Sequence, residues 1–475
     1  MRKMKALLSL LMVFTFIFLA ACSGGGADTP AAAPETTPET NTEASGGNDT
    51  EPAAETDTEN TEEAVAEDVP DLGGRVIKLS AWWDLTPTDT DAQGKALVEQ
   101  LKKTEEKYNV KFEFVNIPYE EYMEKFTASV LAGEPLADIT YLEYKAALPA
   151  IQKGQLHKIS EFTTPESSIN TDQRLANAGP ALLGEQYGFY GGMPSNGGVG
   201  IHYNRDLFEE LGLPDLQELY EKGEWTWDKM LEIAKQATKD TNNDGKMDTW
   251  GFSGWSAQVG RNLIVANGGN TVLDPEGDET KATEGLTDPR TIEAIEYLAS
   301  LYNNNVVKVK SGDKTLWEET DTFKDGDIAM FHAAQWQIGD INFEIGVVPY
   351  PIGPQGNPEV TYGDTALNAY FIPKGVKDPA LVYQIFEELY DVPQLEEYPS
   401  QNYLESLYSY EDDIRIIREN ITGTGLVSLD EAYPEYPYYS FVADVLVENA
   451  SVASAAEKYK QQAQASIDKL EAQNK

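Results

Sequence analysis

Cysteine and histidine are almost absent from this chain: Cys22 stands alone, and His157, His202 and His332 are the only histidines in 475 residues. A single cysteine excludes an internal disulfide, so stability has to come from a hydrophobic core. Neither G-x-S-x-G nor H-E-x-x-H occurs, so serine-elbow hydrolysis and His-ligated zinc chemistry lack their parts, and the three histidines default to core or surface roles. Basic residues are scarce as well. The 36 Lys and Arg face 80 Asp and Glu, a formal charge of −44, which excludes a nucleic-acid partner and a basic patch for anionic lipid. Between Ser23 and Gly74 there is no Lys or Arg at all, and Thr, Glu, Ala, Pro, Gly and Asp dominate. Such a segment cannot bury apolar surface; residues 22–74 are expected to be a disordered acidic tether with a reach on the order of 40 Å.

What is present begins with Arg2, Lys3 and Lys5, followed by an apolar run from Ala6 to Ala21 broken only by Ser9 and Thr15. That is the profile of a signal peptide over residues 1–21, with an uncleaved anchor as the alternative. Leu19-Ala20-Ala21-Cys22 resembles the lipobox of bacterial lipoproteins. The resemblance implies a lipidated Cys22, attached to the outer face of the membrane of a single-membrane cell through two acyl chains, where one chain would hold only weakly.

At Arg75 the pattern changes. Val76, Ile77, Leu79, Ala81, Trp82 and Trp83 read as a strand buried on both faces. Leu97, Val98, Leu101 and Tyr108 share one helical arc, Val110, Phe112 and Phe114 alternate as a strand, and Tyr119, Met123, Phe126 and Val130 form a second helical face ended by Gly133. A third strand lies near Asp138 to Leu142. Strand, helix, strand, helix, strand implies a parallel α/β sheet. Further on, Gly200 to Tyr203 reads as a strand, and Thr226 is a plausible N-cap for a helix through Thr238. Helical periodicity recurs at Thr291 to Tyr302, Pro379 to Tyr390 and Ser454 to Leu470. Trp225, Trp227, Trp250 and Trp317 are assigned to the core. A folded part of this length exceeds what one core supports, so two α/β lobes are expected.

Several segments, in order, carry a family resemblance over nearly all of Arg75 to Lys475: YNVKFEFVNIPYEEY, LAGEPLADITYL, YGGMPSNGGVGIHYNRDLFEELGL, WTWDKMLEIAKQAT, FKDGDIAMFHAAQW, IGVVPYPIGPQG and AYFIPKGVKDPALVYQIFEEL. Together they resemble extracellular solute-binding proteins of ATP-binding-cassette (ABC) importers, in the sugar-binding class that includes maltose-binding protein. The resemblance implies a monomer of type II periplasmic-binding-protein fold, with parallel-rich sheets in two lobes. Lobe one would be about 75–194 and 369–410, lobe two about 195–368 and 411–475. A carbohydrate would be held in the cleft and passed by lobe closure to the transmembrane subunits of an ABC permease.

A sugar site wants aromatic rings for C–H faces and Asp, Asn or Arg for hydroxyls. Trp82, Trp83 and Asp84 end the first strand, at the edge where open α/β sheets place ligands. Adjacent strand residues point to opposite faces, so one tryptophan is core, and Trp83 with Asp84 is favoured for the cleft. Tyr141 and Tyr144 end the third strand at the same edge. By resemblance, Trp336 stands where the class carries a cleft tryptophan and Tyr439 takes the place of another, while Ser195, Asn196, Trp255, Tyr362 and Asp364 fall in cleft-lining loops. Each could equally pack or cap a loop.

Asp240, Asn242, Asp244, Gly245, Lys246 and Asp248 match the first nine positions of an EF-hand loop, with Lys246 supplying a backbone carbonyl. The closing Glu is missing: Gly251 stands there. A structural Ca²⁺ explains three Asp on one tight loop; a solvated Asx-rich turn is the alternative. An enzyme that cleaves surface polysaccharide with a carboxylate pair, or a peptide- or ion-binding relative of the same fold, are the competing functional classes.

Overall fold

A computed structural model of the chain describes residues 69–167, 185–190, 199–273, 282–309, 312–315, 320–358, 368–398, 400–421, 430–433 and 435–473. Cys22, the expected signal segment 1–21 and the expected tether up to residue 68 lie outside the described residues. The last six tether residues do not. Val69 and Leu72 pack on the core, and the backbone N–H groups of Leu72 and Gly74 donate to the carbonyls of Tyr108 and Asn109 at 2.9 and 2.7 Å. They satisfy helix-end carbonyls that would otherwise lack partners, so the fold begins before Arg75.

Among the described residues, ten strands form two four-stranded sheets and a short hairpin. They are β1 (Arg75–Ala81), β2 (Val110–Asn116), β3 (Ile139–Glu143), β4 (Val199–Asn204), β5 (Trp250–Ser253), β6 (Val272–Leu273), β7 (Thr283–Glu284), β8 (Ile328–Ala334), β9 (Ile345–Val348) and β10 (Asn368–Phe371). The first sheet has the order β10-β3-β1-β2 and the second β5-β8-β4-β9; β6 and β7 make the hairpin. In the first sheet β1 pairs in parallel with both β2 and β3, with Leu79 opposite Phe114 on one side and Ile139 on the other. The helices Ala92–Tyr108 and Tyr119–Ala132 provide the crossovers. Asp91 caps the first, accepting from the Gly94 N–H, and Gly133 ends the second at φ 72°, a left-handed position that costs glycine little.

Only β5 and β8 pair in parallel in the second sheet; β4 runs antiparallel to β8 and β9, and β10 antiparallel to β3. The second sheet is thus less parallel than the first. The expected helix at Thr226 forms as Trp227–Ala237, with the Thr226 side chain accepting from the Lys229 N–H. Trp225 and Trp227 are buried and Trp250 partly so, as assigned; Trp317 lies outside the described residues. The return segment is shorter than 369–410. Tyr398, Leu404 and Tyr408 pack with Ile328, Phe331 and Val347 beneath the second sheet, because their apolar faces meet that cluster.

Two of the three histidines sit within this second layer. His202 is fully buried with Nε2 2.9 Å from the Tyr408 hydroxyl, and His332 is buried with Nδ1 bonded to the Tyr350 hydroxyl. Burial pushes both down to about 3. Asp413 moves the other way: burial raises it to about 6 against the pull of Arg205, 3.1 Å from its carboxylate. As pH falls from about 6.5, the unfolded chain takes protons on both histidines that the native state refuses, so stability falls by about 1.4 kcal/mol per pH unit for each. Asp413 opposes this between the ordinary carboxylate range and about 6, since its native form binds a proton first, but two histidines outweigh one carboxyl. Urea unfolding from pH 7 to pH 5 is expected to show declining stability, with a shallower slope in His332→Phe. An unchanged slope would remove His332 as a source.

Candidate functional site

Strands β1 and β3 end side by side and carry an aromatic group off their shared C-terminal edge. Trp82 packs inward, 5.7 Å from the Tyr122 ring and 5.6 Å from Tyr119, while Trp83 is 40 % exposed. The two tryptophans meet edge-on at 5.2 Å, and Tyr141 contacts both, at 5.2 and 4.8 Å. Tyr141 is itself buried and rests against Tyr370, its cross-strand partner on β10, at 4.8 Å. It therefore braces Trp83 from below and presents little surface of its own. Edge-to-face contacts with Trp82 and Tyr141 orient the Trp83 ring. Asp84 is exposed; hydrogen bonds from Thr86, side chain first and then backbone, hold its carboxyl below the usual range. Tyr144 opens the helix Tyr144–Gln152, and its side chain lies outside the described set. Ser195, Asn196, Tyr362 and Asp364 also lie outside the described residues.

A second group comes off the second sheet. Strands β5 and β8 are parallel, so Trp255 after β5 and Trp336 after β8 leave the same edge. Gly254 makes the first exit feasible: its φ is 153°, and a Cβ there would lie 2.6 Å from the His332 Cβ. Trp336 is 68 % exposed. Trp255 stacks on Tyr439, centroids 5.7 Å apart and planes at 21°, and the Tyr439 ring keeps 44 % of its surface exposed.

This pair is held by a residue that the sequence reading passed over. Arg261 lies in the helix Ser256–Ala266, every residue of which except the half-buried Gln258 is buried, and is 1 % exposed. Its guanidinium donates to Asp430 from Nε at 3.1 Å and from Nη2 at 2.8 Å, and Nη1 lies 3.2 Å from Glu431 Oε1. Its carbon sits 4.5 Å from the Tyr438 ring centroid and 4.9 Å from that of Tyr439. The Tyr439 hydroxyl donates to Glu431 Oε1 at 2.8 Å, and Thr271 donates to Asp430 at 2.8 Å. Burial pulls the Arg261 pKa down, but Asp430 and then Glu431 hold it well above its ordinary value, so the charge persists. A legible signal existed: an arginine among Val259, Leu263, Ile264 and Val265 requires a buried acidic partner.

The turn Asp430–Ala432 packs against the helix Tyr144–Gln152, which follows directly from β3. One contact thus brings the second aromatic group up to the edge that carries the first. Together the groups offer ring faces with carboxylates beside them. A separate cavity of about 1220 Å³, lined in part by Asp91, Gln100, Lys107, Glu388 and Tyr403, shares no residue with either group.

In the acidic loop, the donors are all oxygen, which suits a hard divalent cation in kind. The carboxylates are taken up locally. Asp240 accepts from the N–H groups of Asp244 and Gly245, Asp244 from that of Lys246, and Asp248 from Thr241 and Asn242. Among the described residues no three acidic, His or Cys side chains converge as metal ligands.

Residues 86–394 match the family model of bacterial extracellular solute-binding proteins, well over half of the chain, and the chain belongs to that family. Solved structures share its fold. An ABC substrate-binding protein from Listeria monocytogenes in complex with cycloalternan is 19% identical, with TM-score 0.59, covering 84% of this chain and 98% of that one. A sugar transporter protein from Rhizobium etli in an open conformation is 16% identical, with TM-score 0.58 and coverages of 82% and 99%. The maltose/maltodextrin-binding domain from Bdellovibrio bacteriovorus bound to maltotriose is 16% identical, with TM-score 0.54 and coverages of 83% and 99%. No curated protein sequence matches. The fold is the two-lobe, type II binding-protein architecture. Among the described residues no helix is long and apolar enough to cross a membrane.

Proposed function

We propose that this protein is the substrate-capturing component of an ABC importer for carbohydrate, binding a mono- or oligosaccharide reversibly, without turnover, and presenting it to permease transmembrane subunits. The observation that carries this is the pair of aromatic groups at adjoining sheet edges, Trp83 on Tyr141 and Trp255 on Tyr439, with Trp336 beside the second. Flat ring faces suit the C–H faces of pyranoses, and the flanking carboxylates suit their hydroxyls. The structural relatives solved with cycloalternan and maltotriose support the same class of ligand. Ligand contact with both lobes would bias the protein toward closure. A thermal-shift panel of neutral mono- and oligosaccharides is expected to give one or more stabilising ligands, about 2.7 kcal/mol at 100 times Kd. Truncating Trp255 to Ala should remove most of the shift. New saccharide products on incubation would sink the non-enzymatic reading.

The same proposal places the protein at the outer face of the cell membrane, anchored through Cys22 ahead of an acidic tether. A Cys22→Ser chain should then appear in the culture medium, whereas the parent chain partitions with membranes. Retention of the variant in membranes would remove the lipid from the account.

We also propose a structural Ca²⁺ at Asp240, Asn242, Asp244, Asp248 and the Lys246 carbonyl, supported by the EF-hand-like spacing and the all-oxygen donor set. The ion would neutralise the loop carboxylates, with no part in sugar binding. Adding Ca²⁺ to chelator-treated protein should raise its Tm, and Asp244→Ala should abolish the rise. An identical Tm with chelator and with Ca²⁺ would exclude the site.

A further inference from the structure

Among the described residues, Glu431 is the one carboxylate that touches both the stacked pair and its buried cation while keeping part of its surface open. Its Oε1 is occupied, by the Tyr439 hydroxyl at 2.8 Å and by Arg261 Nη1 at 3.2 Å. Its Oε2 has no donor among the described residues, and the side chain is 23 % exposed. The Tyr439–Glu431 hydrogen bond places that free oxygen at the rim of the ring that Trp255 stacks upon. A ring face with a hydrogen-bond acceptor at its rim is what a pyranose needs: stacking for one face and an acceptor for an equatorial hydroxyl.

The charge balance around this oxygen restricts what can sit there. Arg261 is the cation of the group, and at 1 % exposure it cannot reach a ligand. Asp430 already takes two of its nitrogens, so Arg261 has two carboxylates against its one charge. On the facing edge, Asp84 is exposed and Glu143 partly so. Among the described residues of the two groups, accessible charge is therefore negative on both sides. A uronate or sugar phosphate would bring a further anion beside Glu431, where the one cation among the described side chains of these two groups is the buried Arg261. Neutral hydroxyls, by contrast, donate to it.

Given the carbohydrate reading above, on which it rests, we propose that Glu431 is a ligand-contacting, specificity-determining residue: its free oxygen accepts a hydroxyl of a sugar stacked on Trp255 and Tyr439, and the site selects uncharged saccharides over acidic ones. Arg261 acts through Glu431 and Tyr439, as the positioning residue that holds both.

The test is calorimetric titration of the full chain with maltotriose, cellotriose, xylotriose and mannotriose, against trigalacturonate and a mannuronate trimer. At least one neutral trimer should bind, and each acidic trimer at least tenfold more weakly. Glu431→Gln keeps the Oε1 acceptor for Tyr439 and Arg261 but turns the free position into an amide donor. It should weaken the neutral ligand by about tenfold or more, the size of a lost charge-assisted hydrogen bond, while the Tm of the ligand-free protein stays close to that of the parent. Preference for an acidic trimer, or parent-like affinity in Glu431→Gln, would overturn the proposal and leave the carbohydrate reading standing. Binding of no saccharide of either kind would overturn both. The selectivity comparison uses the parent chain alone, so it stands even if the variant does not fold.

Discussion

The site depends on a buried ion pair. Arg261 sits in a helix buried nearly throughout, and its charge is tolerable there only because Asp430 binds it in two places and two tyrosine rings cover it. Removing one partner of such a pair leaves an uncompensated charge, at a cost of about 3–5 kcal/mol, so the geometry is strongly specified. Three things follow from that one guanidinium. The turn Asp430–Ala432 is tied to the second layer, the Tyr439 ring is oriented, and Glu431 is drawn to the ring's rim. Because the same turn packs on the helix after β3, an electrostatic bond within one layer also decides how that layer meets the other.

The two aromatic groups are built on different principles. On the first sheet, rings hold rings: Tyr141 and Tyr122 pack against the tryptophans and Tyr370 backs Tyr141, and the arrangement follows from the parallel strands β1 and β3 ending together. On the second sheet the stacked pair Trp255 and Tyr439 comes from segments far apart in the chain, joined by a cation and its carboxylates. Packing alone would suffice for the first group. The second needs charge, because Tyr439 keeps nearly half its surface exposed and its helix, Tyr438–Leu446, does not belong to the sheet edge. A ring oriented by a buried ion pair keeps its position without being enclosed.

Much of the local structure of both sheets' surroundings was legible in the chain. The alternation at Val110 to Phe114, the helical arc at Leu97 to Tyr108 and the Thr226 cap appear in the structure near their expected places, because each depends on residues close in sequence. The Trp82 and Trp83 division also emerged, since a strand's two faces are implied by its period. Less was legible where partners are distant. The packing of Val69 and Leu72 on the core was hidden by the acidic composition around them, and the turn of the chain back toward the second sheet before Tyr398 depends on a cluster assembled from four separate segments. Tyr141 looked like a cleft residue from its position at a strand end; cross-strand pairing with Tyr370 turned it into a support.

By itself, then, the sequence determined the class of protein: a single cysteine, an excess of acidic over basic residues, an α/β order and a set of segments characteristic of extracellular solute-binding proteins. These are properties of composition and of short-range pattern, and they survive without knowing which residues meet. Tertiary structure decided the site. Arg261, Asp430 and Tyr439 span nearly 180 positions, and no local period relates them. Only when the helix Ser256–Ala266 is enclosed almost completely does its one charge have to find Asp430, and only then do Glu431 and Tyr439 come to the edge of the second sheet.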